Sequence, residues 1–261
     1  MSTLIVKITP SRIKKGLLAI PNSMHSYFPI MAQQIRVFFD LSGKPILMPY
    51  TPAESSTNEA RIYGLSHWYK KHNVIGEERA VITVINQREF IYRINLEDYF
   101  IKRETDLELN FIEARNSKIA ESNLTKLSNW IGIHEKNAAL LQYKNISVNQ
   151  ENLFRNKMMS ASRLTREKIP PSLKTLIEVI YEGHCQLCDF TFLKRDSFPY
   201  FEIHHINPEI GHDPKNLLSI CANCHRQFEF AETHLWRNRD GWLIRVKFND
   251  SFFDVKQILI K

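Results

Sequence analysis

Hydrophobic positions in the first hundred residues come in short bursts divided by turn formers: LIVKI, GLLAIP, QQIRVFFDLSGKPILMPY, EARIYGL, ERAVITVI and EFIYRI. Side chains on a strand alternate between two faces, so such bursts, rich in β-branched and aromatic residues, predict an antiparallel barrel or sandwich. Ser42-Gly43 is the predicted hairpin turn. From residue 101 to 169 the chain becomes polar and helical in pattern, with LTKLSNWIGIHEKNAALLQY as its strongest amphipathic stretch. Few glycines or prolines interrupt it, which suits a folded connector better than a flexible tether. Pro170-Pro171 then opens a helix, SLKTLIEVIYE, that Gly183 closes as its cap. After residue 230, HLWRNRDGWLIRVKFNDSFFDVKQILI reads as two strands around Asp240-Gly241 and a short tail, with Trp236, Trp242 and Phe248 as core.

The expected fold class is therefore α+β, in three parts: a β domain over 1–105, a helical connector over 106–169, and a C-terminal domain over 170–261. At 261 residues and 43% hydrophobic content, the chain can bury a real core in two domains. No run approaches the ~18 apolar residues of a membrane span, and MSTLIVKITPS has no apolar signal core, so a cytoplasmic protein is expected, with no membrane partner. The net charge of +7 is uneven: residues 1–105 carry +5, 106–175 carry +4 and 176–261 carry −2. Attraction for phosphate must thus come mostly from outside the C-terminal part.

That C-terminal part holds the chemistry. Residues 183–230 contain all four cysteines and half of the ten histidines. Cys185-x2-Cys188 and Cys221-x2-Cys224 are separated by 32 residues, room for a β-hairpin. Four thiolates are what a closed tetrahedral zinc site needs, the alternative being disulfides. His204 and His205 end an apolar run that reads as a strand, and His225 follows the last cysteine at the start of a helix, with Glu229 four residues on and on the same face. With the zinc shell filled by sulfur, these groups remain for a second, open metal site.

Cys185-x2-Cys188, Glu202-Ile203-His204-His205-Ile206-Asn207-Pro208, Asp213-x2-Asn216-Leu217-Leu218 and Cys221-x2-Cys224-His225 together resemble the four-cysteine, McrA-like HNH nucleases of the ββα-metal fold. The resemblance implies His205 as general base, His204 and His225 as ligands of a catalytic divalent cation, and Asn216 as the residue that buttresses the loop and orients the base. McrA-like members tend to carry histidine where this chain has Glu229; a carboxylate there would tilt preference towards Mg²⁺ or Mn²⁺, or stand off the metal altogether. His184 and His212 have no counterpart and read as surface or supporting residues.

A second resemblance covers the N-terminal part. Ile8-Thr9-Pro10-Ser11, Leu18-x-Ile20-Pro21, the FFDLSG strand and turn, Tyr63-Gly64-Leu65-x2-Trp68-Tyr69 and Gly76-Glu77 look like the DNA-binding pseudobarrel of plant auxin-response type factors, found also in the restriction enzymes EcoRII and BfiI. The family usually shows GW and GD where this chain has His67-Trp68 and Gly76-Glu77. In that fold two arms enter the major groove. Here they correspond to Ser11–Gly16, with Arg12, Lys14 and Lys15, and to residues 54–61, with Ser56, Thr57, Asn58 and Arg61. Arg and Lys suit phosphate or guanine and Asn suits adenine, although solvated loops carry the same residues. Arg163, Arg166 and Lys168 are positioned to grip phosphates flanking the cut, or else form a solvated helix face.

These readings converge on a site-specific DNA endonuclease of restriction type, with structural Zn²⁺ and catalytic Mg²⁺ or Mn²⁺, acting on double-stranded DNA with no small-molecule substrate. One such site cuts one strand, so a homodimer is expected. Two alternatives stay open: an enzyme that requires methylated DNA, and a DNA-binding regulator that keeps the zinc module without catalysis.

Overall fold

The computed structural model describes residues 3–53, 59–149, 157–160, 163–166 and 168–259. The N-terminal bursts become strands β1 (Thr3–Lys7), β2 (Leu17–Ile20), β3 (Gln33–Phe39), β4 (Ile46–Thr51), β5 (Ala60–Tyr63), β6 (Arg79–Asn86) and β7 (Ile91–Leu96), with short helices α1 (Pro10–Lys15) and α2 (Ser66–Lys71) between them. They join in one seven-stranded sheet, in the order β1-β6-β7-β3-β4-β5-β2. Neighbours are antiparallel except β3 and β7, and the sheet curls into a nearly closed barrel. Alternation does what the pattern requires: in β1, Leu4 and Val6 face the core while Ile5 and Lys7 face out. Ile8, Ile20, Ile35, Ile62, Ile82 and Ile94 fill the interior, and Phe28 stacks on Tyr92 at 4.5 Å. The β3–β4 hairpin turns slightly earlier than Ser42-Gly43: Asp40 takes the left-handed conformation (φ 54°), and the Ser42 amide donates to the Phe39 carbonyl at 2.9 Å.

The helical stretch forms α3 (Glu97–Ile112), α4 (Ser117–Ile131) and α5 (Glu135–Asn149). The predicted single amphipathic stretch from Leu124 to Tyr143 is two helices, because Gly132 adopts a left-handed φ of 71° and ends α4. The rest of the expected connector is not helical throughout: β8 (Lys157–Ser160) and β9 (Arg163–Arg166) pair as a hairpin. The chain divides into two compact units, Met1–Leu109 with Lys126–His134, and Asn110–Thr125 with Glu135–Lys261. In the first unit Phe100, Leu107, Leu127 and Trp130 bury Val81, and the Trp130 indole N–H donates to the Phe100 carbonyl at 3.1 Å.

The second unit contains α6 (Pro171–Tyr181), a hairpin of β10 (Glu202–His205) and β11 (Leu217–Ile220), helix α7 (Ala222–Phe230), and a three-stranded antiparallel sheet of β12 (Thr233–Arg237), β13 (Leu243–Phe248) and β14 (Ser251–Asp254). The tail predicted after two strands thus supplies a third, reached through a second turn at Asn249 (φ 51°). Trp242 and Phe248 are buried as expected, but Trp236 is 41% exposed: it shares with its cross-strand partner Arg245 the face of the sheet turned from the core. Among the described residues, no helix is long and apolar enough to cross a membrane.

The cap of α6 is Glu182 rather than Gly183; both are left-handed, at φ 54° and 74°. Gly183 is needed for a second reason, since a Cβ there would lie 2.2 Å from the Pro199 side chain. Gly183→Ala should therefore lower the stability of the second unit by roughly 1–3 kcal/mol, read from its urea midpoint. An unchanged midpoint would show that the Pro199 loop gives way freely.

Candidate active site

The cysteines come together from three separate elements. Cys185 and Cys188 sit in the turn after α6, Cys221 follows β11 and caps α7, and Cys224 lies in the first turn of α7. The turn is pinned to the hairpin at both ends of one residue: the Gln186 amide donates to the Ser219 carbonyl, and the Ser219 amide to Gln186 Oε1, each at 2.8 Å. The four Sγ atoms all lie within 4.8 Å of one another, with Cys188 3.7 Å from Cys221 and 3.6 Å from Cys224. Tetrahedral zinc, with Zn–S bonds of ~2.3 Å, wants its sulfurs roughly 3.8 Å apart. All four are free thiols, three of them buried, so the set fits structural zinc rather than disulfides. A hydrogen bond from Cys224 pulls the Cys185 thiol far down its normal range, the thiolate character a metal site requires.

The hairpin and α7 then position the histidines. In the β10–β11 register His204 faces Leu218 and His205 faces Leu217 at the strand end, so the adjacent rings leave on opposite sides. His204 turns to α7, where it stacks on Phe228 at 4.2 Å and meets His225 edge-on at 5.0 Å between ring centroids. Two imidazoles on one tetrahedral ion would hold their centroids about 5 Å apart, given metal–nitrogen bonds of ~2.1 Å. Burial, reinforced by the neighbouring His225, lowers the His204 pKa to about 4, which keeps its ring neutral with a lone pair to offer. His225 Nδ1 contacts the Glu202 carboxylate, which also accepts from the Tyr200 hydroxyl; those two bonds hold Glu202 below its usual pKa. A carboxylate on Nδ1 leaves Nε2 as the atom that could ligate a metal. Glu229 is exposed and paired with Arg226 at 2.5 Å. Among the described residues, the four cysteines are the one set of three or more metal-binding side chains already gathered.

His205 points instead to the loop that joins β10 to β11. Its Nε2 lies 3.1 Å from Nδ1 of His212, which is buried. Asn216, 4% exposed, stitches that loop together: its Oδ1 accepts from the Asn207 amide at 2.8 Å, and its Nδ2 donates to the carbonyls of Asn207, Ile210 and Gly211 at 2.9, 3.3 and 3.3 Å. Behind it the buried Tyr143 hydroxyl donates to the Pro214 carbonyl at 3.2 Å. Glu202, His212 and Tyr143 were not legible as site residues from the sequence. Glu202 carried a signal, since it lies two positions from His204 in a matching segment; Tyr143 carried none, being 71 residues from the carbonyl it holds.

At the N-terminal end, α1 carries Arg12, Lys14 and Lys15, and β5 carries Arg61. Arg12, Lys15, Glu59 and Arg61 line one recess of about 380 Å³, which joins the two predicted arms. Arg12 is tied within it, to Glu59 at 2.9 Å and the Lys7 carbonyl at 2.7 Å, whereas Lys14 and Lys15 are exposed. Ser56, Thr57 and Asn58 lie outside the described residues. Arg163 and Arg166 fall on strand β9 and not on a helix.

Residues 185–229 match the family model of HNH endonucleases. Two similar solved structures are an Arabidopsis FUS3–DNA complex, 11% identical, covering 36% of this chain and 93% of that one with a TM-score of 0.31, and a hypothetical Arabidopsis thaliana protein, 14% identical, covering 36% and 87% with a TM-score of 0.29. No curated protein matches the chain.

Elemental analysis of the purified protein should return one zinc per chain, lost in Cys221→Ser together with the cooperative unfolding of the second unit. Asn216→Ala leaves the loop carbonyls and the Asn207 amide without their partner, and should cost roughly 2–4 kcal/mol of that unit's stability in urea titration. A cost below about 0.5 kcal/mol would mean the loop is held by other contacts.

Proposed function

We propose, taking residues 185–229 as an HNH endonuclease segment, that this protein is a metal-dependent endonuclease that cuts double-stranded DNA at defined sites, as restriction enzymes do. The observation that carries the reading is the arrangement of the hairpin and helix, which sets His204 5.0 Å from His225 on one side of the strand and leaves His205 on the other, beside a loop fixed by Asn216.

In this reading His205 takes the proton of the water that attacks phosphorus, a role an imidazole fills near neutral pH. Asn216 keeps the loop beside that ring in place through four hydrogen bonds to backbone groups. His204 and His225 would hold the divalent cation, with Glu202 fixing the His225 ring through Nδ1. A bound Mg²⁺ or Mn²⁺ would supply positive charge where negative charge collects on the phosphate and the leaving oxygen. Glu229 is the donor that would favour those hard cations, and to join the two imidazoles it must leave Arg226.

Recognition falls to the first unit. Its barrel presents Arg12, Lys15 and Arg61 around one recess, with Lys14 exposed on the same short helix, and it carries more of the chain's positive charge than the acidic C-terminal residues. Ser56, Thr57, Asn58, Arg163 and Arg166 are the further DNA contacts that the sequence leads one to expect. One site cuts one strand, so a double-strand break calls for a homodimer or two successive nicks.

Digestion of a mixed-sequence plasmid library with Mg²⁺, followed by end sequencing, should return a defined site and stagger. His205→Ala should lower cleavage at least about 100-fold with DNA affinity retained. Wild-type cleavage by that variant would remove His205 as the base. Sequence-specific binding without cutting in Mg²⁺, Mn²⁺, Ni²⁺ or Co²⁺ would mark the protein as a DNA-binding regulator.

A further inference from the structure

One contact at the candidate site has no part in the chemistry assigned so far. His205 and His212 meet nitrogen to nitrogen at 3.1 Å, Nε2 to Nδ1, with their rings 5.2 Å apart and tilted by 59°. His212 is only 8% exposed. The backbone on either side of it is fixed: the preceding Gly211 carbonyl accepts from Asn216, Asp213 caps the following turn through the Lys215 amide at 2.9 Å, and the Pro214 carbonyl accepts from Tyr143. The ring is thus presented to His205 from a rigid mount.

Two neutral imidazoles at this distance make one hydrogen bond, in which one nitrogen donates and the other accepts. The two directions have different consequences for His205. If His212 donates, the His205 lone pair is on Nε2 and consumed by that bond, and Nδ1 carries the proton. If His205 donates, Nε2 carries the proton and the lone pair is on Nδ1.

We infer that His212 is a positioning residue: its Nδ1 accepts from Nε2–H of His205 and so holds His205 in the tautomer whose Nδ1 can take a proton from water. The inference rests on the base role of His205 in the proposed function. Its logic is that of any base oriented by a third group, where a wrong tautomer disables the base although the geometry survives. No covalent step is added; the bond changes only which nitrogen of His205 bears the lone pair.

The test uses the full-length, zinc-loaded chain with histidine ¹⁵N labelling, at a pH above the normal imidazole range, with the His205 resonances identified by their loss in His205→Gln. Wild-type protein should show His205 protonated on Nε2. His212→Leu, which removes the acceptor, should lower the share of the Nε2–H form, and His212→Asn, which keeps an acceptor oxygen at the same reach, should restore it. In cleavage assays His212→Leu should lower kcat at least about tenfold with KM unchanged, and His212→Asn should recover most of the loss. An Nδ1-protonated His205 in the wild type overturns the inference, as does a tautomer unmoved in His212→Leu, or in His212→Ala should the leucine variant not fold. A wild-type protein that cuts no DNA defeats the nuclease reading instead, and the tautomer measurement still reports on the hydrogen bond.

Discussion

Everything at the candidate active site depends on where α7 begins. That helix has only nine residues, too short to hold its place by its own hydrogen bonds. Cys221 and Cys224 bring the Sγ atoms of its first turn within 4.8 Å of those of Cys185 and Cys188 in the turn after α6, close enough for one zinc ion to join them, and Gln186 ties the same turn to β11. His225 follows directly, so the sulfur cluster sets its distance from His204 on the neighbouring strand. The cluster sits inside the apolar core with Leu218, Ile220, Leu243, Val246 and Phe248, which gives a small unit two sources of order in one place.

The polar groups around the histidines divide into two sets on opposite sides of β10. On the helix side, His204 is packed against Phe228, which in turn meets Phe248 edge-on at 4.8 Å, and Glu202 holds His225 while accepting from the Tyr200 hydroxyl. This side is dry enough to keep His204 neutral, as a ligand needs. On the loop side, Asn216 spends its entire amide on backbone groups and His205 faces His212. One strand end thus separates an apolar environment around His204 from a hydrogen-bonded one around His205, because consecutive side chains must point apart.

Charge is divided along the chain in a way that suits this separation of tasks. The last 86 residues are net acidic, and the two N-terminal stretches are basic. In the proposed function, a segment whose acidic groups outnumber its basic ones would accept cations from solution beside the phosphate, while the basic first unit would attract the polyanion.

The sequence by itself determined the strands of the first unit, through alternation and β-branched residues, and it determined the metal-binding pairs, because C-x2-C spacing and a histidine next to the last cysteine permit few arrangements. It also placed His204 and His205 at a strand end. What it left to the tertiary structure are contacts between residues far apart in the chain or facing one another across a loop: Glu202 on His225, His212 on His205, Tyr143 under the Pro214 turn, and Glu229 turned to Arg226. Local pattern likewise could not show that Gly132 breaks one amphipathic stretch into two helices, or that Trp236 faces outward, since periodicity tells which residues share a face and not which face is covered. Spacing fixes what can bind together; packing decides which neighbour each side chain meets.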